Sequence, residues 1–96
     1  MSDFELRDLG DGRFALSGEL SFANADRILQ AGAAAFRHHD DVEVDLSDVG
    51  RADSAGLALL LEWKAGARRR KNSIRYAGIP DSLLAIARTT DVDTLL

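Results

Sequence analysis

The amino-acid sequence predicts an α/β fold with a mixed four-stranded sheet, the element order β-β-α-β-α-β-α, and helices packed mainly on one face. Short segments alternate apolar and polar residues, which is typical of strands with one buried face, and longer segments repeat apolar residues at helical spacing. Because two of these helices lie between strands, their crossovers should make three strands parallel, with the first strand as an antiparallel edge.

The first two strands are predicted to form a hairpin. Residues 4–9 and Arg13–Leu20 carry the alternating pattern, and Gly10-Asp11-Gly12 is a turn sequence between them. A helix should follow, with its N-cap at Ser21 or Asn24 and its end near residues 37–39. The residues at helical spacing, expected on its buried face, are Phe22, Ala25, Leu29, Ala33 and Phe36.

The second half of the chain predicts strand, helix, strand and helix. Residues 42–46 alternate apolar and acidic side chains, and residues 45–54 are expected to turn into a helix running from Ala55 to about Arg70. A strand over 73–78 and a helix with Pro80 in its first position complete the fold. The last helix should bury Leu83, Ile86, Ala87 and Thr90, and the residues expected to fold back onto the body are Val92, Leu95 and Leu96.

Composition narrows the class of protein. The 96 residues are 46% hydrophobic and 29% charged, which suits a single domain over residues 1–96 with one core. A net charge of −4 disfavours nucleic acid as a partner, and the absence of cysteine excludes disulfides and thiolate chemistry. Residues 1–5 lack the apolar segment of a signal peptide, and the longest apolar run, residues 55–61, is too short to cross a bilayer. We therefore expect a cytoplasmic protein without direct membrane insertion.

One basic cluster, Arg68-Arg69-Arg70-Lys71, runs against the acidic balance. It falls where the second helix should end, and cations in a last turn complement the helix dipole. The structural interpretation is favoured, with a contact for an acidic partner or a lipid headgroup surface as the alternative.

The strongest functional signal is the segment Val49-Gly50-Arg51-Ala52-Asp53-Ser54-Ala55-Gly56-Leu57, which places the Ser54 hydroxyl at a helix N-terminus. The unpaired backbone N–H groups there favour an oxygen atom, so Ser54 is a candidate N-cap, docking point or phosphorylation site. The small side chains of Ala55 and Gly56 would let a partner approach the serine closely.

The same helix carries more apolar surface than one core contact needs. Leu59, Trp63 and Gly66 share a side that adjoins the predicted core face. That side either reaches under a neighbouring helix or forms an exposed patch for a partner, since Trp is enriched in interface hot spots.

Enzyme chemistry finds little support. Residues 52–56 resemble a nucleophile elbow, but Ala52 stands where its first glycine should be. His38 and His39 could bind metal with Asp40 or Asp41, yet adjacent ligands at a helix end point in different directions, so a solvated helix end is favoured. No glycine-rich phosphate loop occurs. We predict no catalytic residue, no cofactor and no metal site.

Two motifs resemble the STAS domain family of sulfate transporters and anti-sigma factor antagonists. The first is Ala15-Leu16-Ser17-Gly18-Glu19-Leu20, and the second runs from Val44-Asp45-Leu46-Ser47 to Asp53-Ser54-Ala55-Gly56-Leu57. The resemblance implies a helix-backed sheet that acts by binding. The chain differs from the family pattern at Ser21, where many members carry Asp.

The resemblance points to two branches. In anti-sigma factor antagonists the position matching Ser54 is phosphorylated by a partner kinase, and the added charge breaks the complex. The segment from Asp53 to Trp63 looks closer to the STAS subunit of Mla-type ABC phospholipid transporters, MlaB, in which the matching hydroxyl and its helix contact the ATPase. The residues expected to bind the partner are Asp53, Ser54, Ala55, Gly56, Leu59 and Trp63.

The sequence therefore predicts a bacterial, non-enzymatic cytoplasmic adaptor that binds the ATPase of an ABC-type phospholipid transporter and is held at the inner membrane by that partner. The alternative is an anti-sigma factor antagonist that is switched by a serine kinase acting on Ser54. A third hypothesis is a small hydrolase that uses Ser54.

Overall fold

A computed structural model describes residues 3–96; Met1 and Ser2, which belong to the predicted domain and to the signal-peptide argument, lie outside the described residues. The strands are β1 (Phe4–Gly10), β2 (Arg13–Leu20), β3 (Asp41–Ala52) and β4 (Ser73–Ala77). The helices are α1 (Ala25–Phe36), α2 (Ser54–Arg69) and α3 (Asp81–Thr89), and a short 3-10 helix, Asp93–Leu95, follows. This element order confirms the predicted one.

The four strands form one sheet in the order β1-β2-β3-β4. β1 pairs antiparallel with β2, whereas β2, β3 and β4 are parallel, as the crossovers predict. One face of the sheet packs against the helices, while the other carries charged side chains in register. There Arg13 lies opposite Glu43, which lies opposite Arg75 and pairs with it at 3.6 Å. The helices therefore cover one face of the sheet.

β3 is longer than predicted, because most of the expected turn over residues 45–54 is strand as far as Ala52. Its second half stays paired with β2, with Val49 opposite Gly18 and Ala52 opposite Leu20. The register shifts twice along this pair. Such irregularities interrupt the two-residue alternation that identifies a strand, so the sequence pattern indicates a turn here.

The loop before α1 is held by a buried asparagine. The Asn24 side chain accepts a hydrogen bond from the Ser21 N–H at 2.9 Å and donates one to the Glu19 carbonyl at 2.7 Å. Asn24 occupies the N-cap position, but its side chain makes no capping hydrogen bond to the helix. Its hydrogen bonds instead hold the loop between β2 and α1 in place.

The end of β2 and this loop place Phe22 outside α1, which corrects the prediction that Phe22 lies on the buried face of that helix. Its side chain is 87% exposed. α1 ends at Phe36 with Arg37 as its C-cap residue, close to the predicted end, so His38 and His39 follow the helix. Phe22 does match the helical spacing of the apolar residues in α1. Because residues 21–24 are not helical, this spacing does not predict where the Phe22 side chain points.

The core lies between the sheet and the helices. Phe36 of α1 packs edge-to-face against Phe14 of β2 and against Trp63 of α2, each at 5.0 Å between ring centroids. The other fully buried large side chains include Leu16, Leu20, Ile28, Leu46, Leu60 and Leu83. Burial of these side chains supplies most of the favourable free energy of folding.

The C-terminal segment follows the prediction in part. Leu83 and Ala87 of α3 are buried and Ile86 is partly buried, but Thr90 is exposed. Val92 and Leu96 pack against the core, whereas Leu95 is 51% exposed. Pro80 is the N-cap residue of α3, one position before its predicted place. Within residues 3–96, no helix combines the length and apolar character that crossing a membrane requires.

Candidate functional site

The N-terminus of α2 is capped by Asp53, not by Ser54. The Asp53 backbone is extended, and its Oδ1 accepts hydrogen bonds from the N–H groups of Ala55 at 2.9 Å and Gly56 at 3.1 Å. Its Oδ2 accepts a third from the Phe22 N–H at 3.1 Å. These bonds, that from Phe22 most of all, hold the pKa of the Asp53 carboxyl below its usual value. Asp53 therefore stabilises both the helix and the loop beside it.

Ser54 is free of the capping role that the sequence allowed for it. It is the first residue of α2 and is exposed, and its hydroxyl forms no hydrogen bond within residues 3–96. The Asp53 carboxylate already accepts hydrogen bonds from the N–H groups of Ala55 and Gly56, so these donors are not left for the Ser54 hydroxyl. The structure thus leaves the two other roles of Ser54, docking and modification, open to test.

Gly56 serves internal packing. This corrects the expectation that Gly56 lets a partner approach the start of the helix. It is buried, and a Cβ at this position would lie 2.7 Å from the Leu20 carbonyl oxygen and 2.8 Å from the Leu20 Cβ. The glycine therefore lets α2 start directly against the end of β2. Ala55, which is partly buried, remains at the surface beside Ser54.

Leu59 and Trp63 are buried, at 4% and 5% exposure, so the expectation that they present an exposed patch to a partner is wrong. The alternative, that they reach under a neighbouring helix, is confirmed. The Trp63 indole lies over Gly32 of α1, and its Nε1–H donates to the Leu29 carbonyl at 3.2 Å. Because this polar atom finds an internal partner, the whole ring can be enclosed.

The exposed apolar residue at the site is Phe22, for which the helical spacing predicted a buried position. Next to it a groove of about 510 Å³ opens between α1 and α2. Its lining consists of Phe22, Ala25, Asp26, Leu29, Ala55, Ala58, Leu59 and Glu62. Of the two N-cap residues that the sequence allowed, Asn24 places Phe22 before the helix, so choosing it over Ser21 would have removed Phe22 from the helical face.

Phe22, Asp53, Ser54, Ala55 and Ala58 together form what we call the Ser54 surface. The Phe22–Asp53 hydrogen bond ties the turn before α1 to the start of α2, so the ring and the hydroxyl are held on one end of the molecule. Both lie near the carboxyl ends of the parallel strands, where open α/β sheets place their functional surfaces. The arrangement offers an apolar contact beside a hydroxyl.

The other candidate residues are not brought together into a site. His38 is exposed, and His39 packs against Phe14 with ring centroids 5.7 Å apart. Within the described residues, no group of three or more His, Asp or Glu side chains is placed to hold a metal ion. The cluster of Arg68, Arg69, Arg70 and Lys71 is exposed at the end of α2, where cations complement the helix dipole.

The sheet order, the one-sided helices and the helix N-terminus after β3 are those of a STAS-like domain. The chain belongs to the family described as Mlab, STAS domain, whose model matches residues 6–96. No curated protein sequence matches the chain.

Solved structures with this fold include both expected branches. The anti-sigma factor antagonist SpoIIAA in its unphosphorylated form has a TM-score of 0.74 at 12% identity, covering 96% of this chain and 84% of that one. An anti-sigma factor antagonist from Mycobacterium paratuberculosis has a TM-score of 0.70 at 22% identity, covering 95% and 79%. A chain of the Acinetobacter MlaFEDB complex in an ATP-bound conformation has a TM-score of 0.66 at 24% identity, covering 84% and 86%. At these identities the likeness establishes the fold.

Proposed function

We propose that this protein is a non-enzymatic cytoplasmic adaptor that binds the ATPase subunit of an ABC-type phospholipid transporter through the Ser54 surface. The observation that carries the proposal is that Asp53, and not Ser54, caps α2. The exposed Ser54 hydroxyl is therefore available to another protein. Membership of the Mlab, STAS domain family and the fold shared with a chain of the MlaFEDB complex support this choice of partner. The adaptor would be held at the inner membrane by its partner.

Phe22 supplies the apolar part of the proposed contact. The Phe22 side chain is 87% exposed, so its burial by a partner could still contribute to the free energy of binding. Complete burial of a Phe side chain is worth about 1.5–3 kcal/mol. Aromatic side chains are common anchors in interfaces, and a polar group beside the anchor fixes orientation. In a partner that covers Phe22, contact with the ring would therefore raise the affinity, and contact with the Ser54 hydroxyl would fix the orientation.

The second candidate function is an anti-sigma factor antagonist that is switched by phosphorylation of Ser54. The same exposed hydroxyl favours it, because a kinase must reach the oxygen atom. Phosphorylation would add up to about two negative charges next to the Asp53 carboxylate. Any partner seated on this surface would then meet a concentrated negative charge and would be released.

Purification of the native protein with its bound partners distinguishes the two functions. Our proposal expects an ATPase with Walker motifs, together with a permease, in the complex. A serine kinase in their place would favour the anti-sigma function, and a protein recovered without either would contradict both.

Substitutions at Ser54 then test the site in the purified complex. Ser54→Ala and Ser54→Asp should each leave the free energy of unfolding within about 0.5 kcal/mol of the native value, because Asp53 keeps the cap. Ser54→Asp should nevertheless weaken binding of the ATPase, measured by titration calorimetry. Ser82, exposed in the first turn of α3, provides the matched control, and Ser82→Asp should bind normally. Native affinity in Ser54→Asp would exclude Ser54 from the interface.

A further inference from the structure

The groove beside Phe22 does not end within the first turns of the helices. A second depression, of about 170 Å³, follows it between α1 and α2, and Leu29 and Glu62 line both. The floor of the second part is the buried pair Phe36 and Trp63. The two depressions lie one after the other along the helix pair and share Leu29 and Glu62, and together we call them the α1–α2 groove.

Small residues border the α1–α2 groove near both of its ends. Ala25 and Ala33 border it on α1, and Ala58 and Gly66 border it on α2. Each pair is separated by eight residues, or about 12 Å along a helix. The longer side chains of Leu29 and Glu62 lie midway between the members of each pair. The short side chains at the two ends of the groove let the backbone of another chain approach closely there, as in tight helix packing.

The two ends of the groove carry opposite charge. Asp26, in the first turn of α1, lies at the end near Ser54 and forms no ion pair within residues 3–96. At the other end the guanidinium groups of Arg69 and Arg70 lie over Gly66, since a Cβ built there would be 3.6 Å and 3.5 Å from their nitrogens. Arg69 pairs with Glu62 at 2.8 Å, whereas Arg70 has no carboxylate partner in the described chain. One carboxylate and one guanidinium thus remain uncompensated at opposite ends.

We propose that the α1–α2 groove receives an amphipathic helix of the partner, with its apolar face on the floor, a basic residue beside Asp26 and an acidic residue beside Arg70. This inference rests on the proposed function, because it takes the partner to be the ATPase subunit. A helix suits the groove because it satisfies its own backbone hydrogen bonds, whereas an extended segment would bury unpaired N–H and C=O groups against an apolar floor. The charges set the direction of the bound helix.

Photo-crosslinking in the purified complex tests the position of the helix. The photoreactive residue p-benzoylphenylalanine replaces Ala58 near the Ser54 end, Ala33 near the basic end, or Arg7, which is exposed on β1, as a control. Ala58 and Ala33 should each crosslink to the ATPase, within one amphipathic helical segment, with Lys or Arg nearer the Ala58 product and Asp or Glu nearer the Ala33 product. Arg7 should give no product.

The outcomes separate this inference from the proposed function. Crosslinks to the ATPase from Ala58 but none from Ala33, or a segment with the reverse charge order, would overturn the bound helix while leaving the adaptor function intact. Crosslinks between two copies of this chain would assign the groove to self-association and overturn the inference. No ATPase product from any groove position, although the ATPase copurifies, would also overturn it. Failure of the ATPase to copurify would contradict the proposed function itself.

Charge reversal provides an independent measurement. Asp26→Lys and Arg70→Glu should each weaken binding of the ATPase by about tenfold, because each replaces an attraction by a repulsion. Their controls are Asp81→Lys in the first turn of α3 and Arg88→Glu in its last turn, which change the same helix-dipole interactions away from the groove. Equal affinities for each variant and its control would overturn the charge assignment, and melting curves would verify that all four variants fold.

Discussion

Trp63 and Phe22 are two aromatic residues near the same pair of helices, but one is buried and the other is exposed. Trp63 is 5% exposed and fills the space between α1 and α2, whereas Phe22 is 87% exposed in the turn before α1. The indole has a helix glycine, Gly32, beneath it and a carbonyl for its N–H. Phe22 instead lies in a turn whose backbone is tied to Asp53. The difference shows that contacts between distant segments, more than residue type, decide which aromatic side chain stays exposed.

The largest effect is expected at the buried ring. Trp63→Ala should lower the free energy of unfolding by about 3–5 kcal/mol, because it leaves a cavity among Phe36, Gly32 and the core. Urea denaturation monitored by circular dichroism measures this change. Trp63→Phe should cost less, since it keeps an aromatic ring and loses the hydrogen bond to Leu29. Equal losses in the two variants would show that packing of the ring does not dominate.

Two helix glycines should respond to alanine with opposite signs. Gly32→Ala should destabilise the protein by about 1–3 kcal/mol, because the new Cβ would overlap the Trp63 indole. Gly66→Ala should stabilise it by about 0.5–1 kcal/mol, because the nearest atoms are flexible arginine ends and alanine favours a helix. Thermal and urea unfolding of both variants measure the difference. A stable Gly32→Ala variant would contradict the tight seating of Trp63.

Loss of the cap that supports the Ser54 surface should have an intermediate effect. Asp53→Ala should lower the free energy of unfolding by about 1 kcal/mol at pH 7. The folded pKa of Asp53 lies below its unfolded value, so its ionic contribution is complete above that unfolded value and declines as pH falls below about 4. The stability gap between wild type and Asp53→Ala should therefore narrow on acidification.

Asp53→Asn is the control for that measurement, because it keeps a capping oxygen and does not titrate. The gap between wild type and Asp53→Asn should also shrink at low pH. A gap between wild type and either variant that widens on acidification would show that the native carboxylate does not stabilise the fold in this way.

The smallest effect on stability is expected at the exposed ring. Phe22→Ser should change the free energy of unfolding by less than about 0.5 kcal/mol, because little of the ring is buried. Its affinity for the ATPase should nevertheless fall by about tenfold or more if the ring anchors the interface. Leu9→Ser, at a 47% exposed position of β1, should affect neither quantity strongly. Equal affinity of Phe22→Ser and wild type would remove Phe22 from the binding surface.

Much of the architecture was accessible from local patterns. The hairpin, the two crossovers and the bounds of β2 follow from alternation and turn residues, which act over a few positions. The second half of β3 escaped prediction because its pairing with β2 is irregular.

The candidate site was predictable in position but not in the roles of its residues. The segment around Ser54 announces a helix N-terminus, and both Asp53 and Ser54 are good N-cap residues by type. Only the extended backbone at Asp53 settles which one caps. Likewise, the shared side of Leu59 and Trp63 is visible in the sequence, but the approach of α1 at Gly32 determines that this side is enclosed.

The sequence by itself determined the kinds of elements, their order, the parallel connections and the presence of a serine at the start of α2, because periodicity and turn chemistry are properties of neighbouring residues. The tertiary structure alone decided that Asp53 holds the cap, that Trp63 is covered while Phe22 is not, and that the α1–α2 groove has ends of opposite charge. The physical reason is that spacing along the chain shows which residues share a face, whereas the packing of distant segments determines which faces are covered.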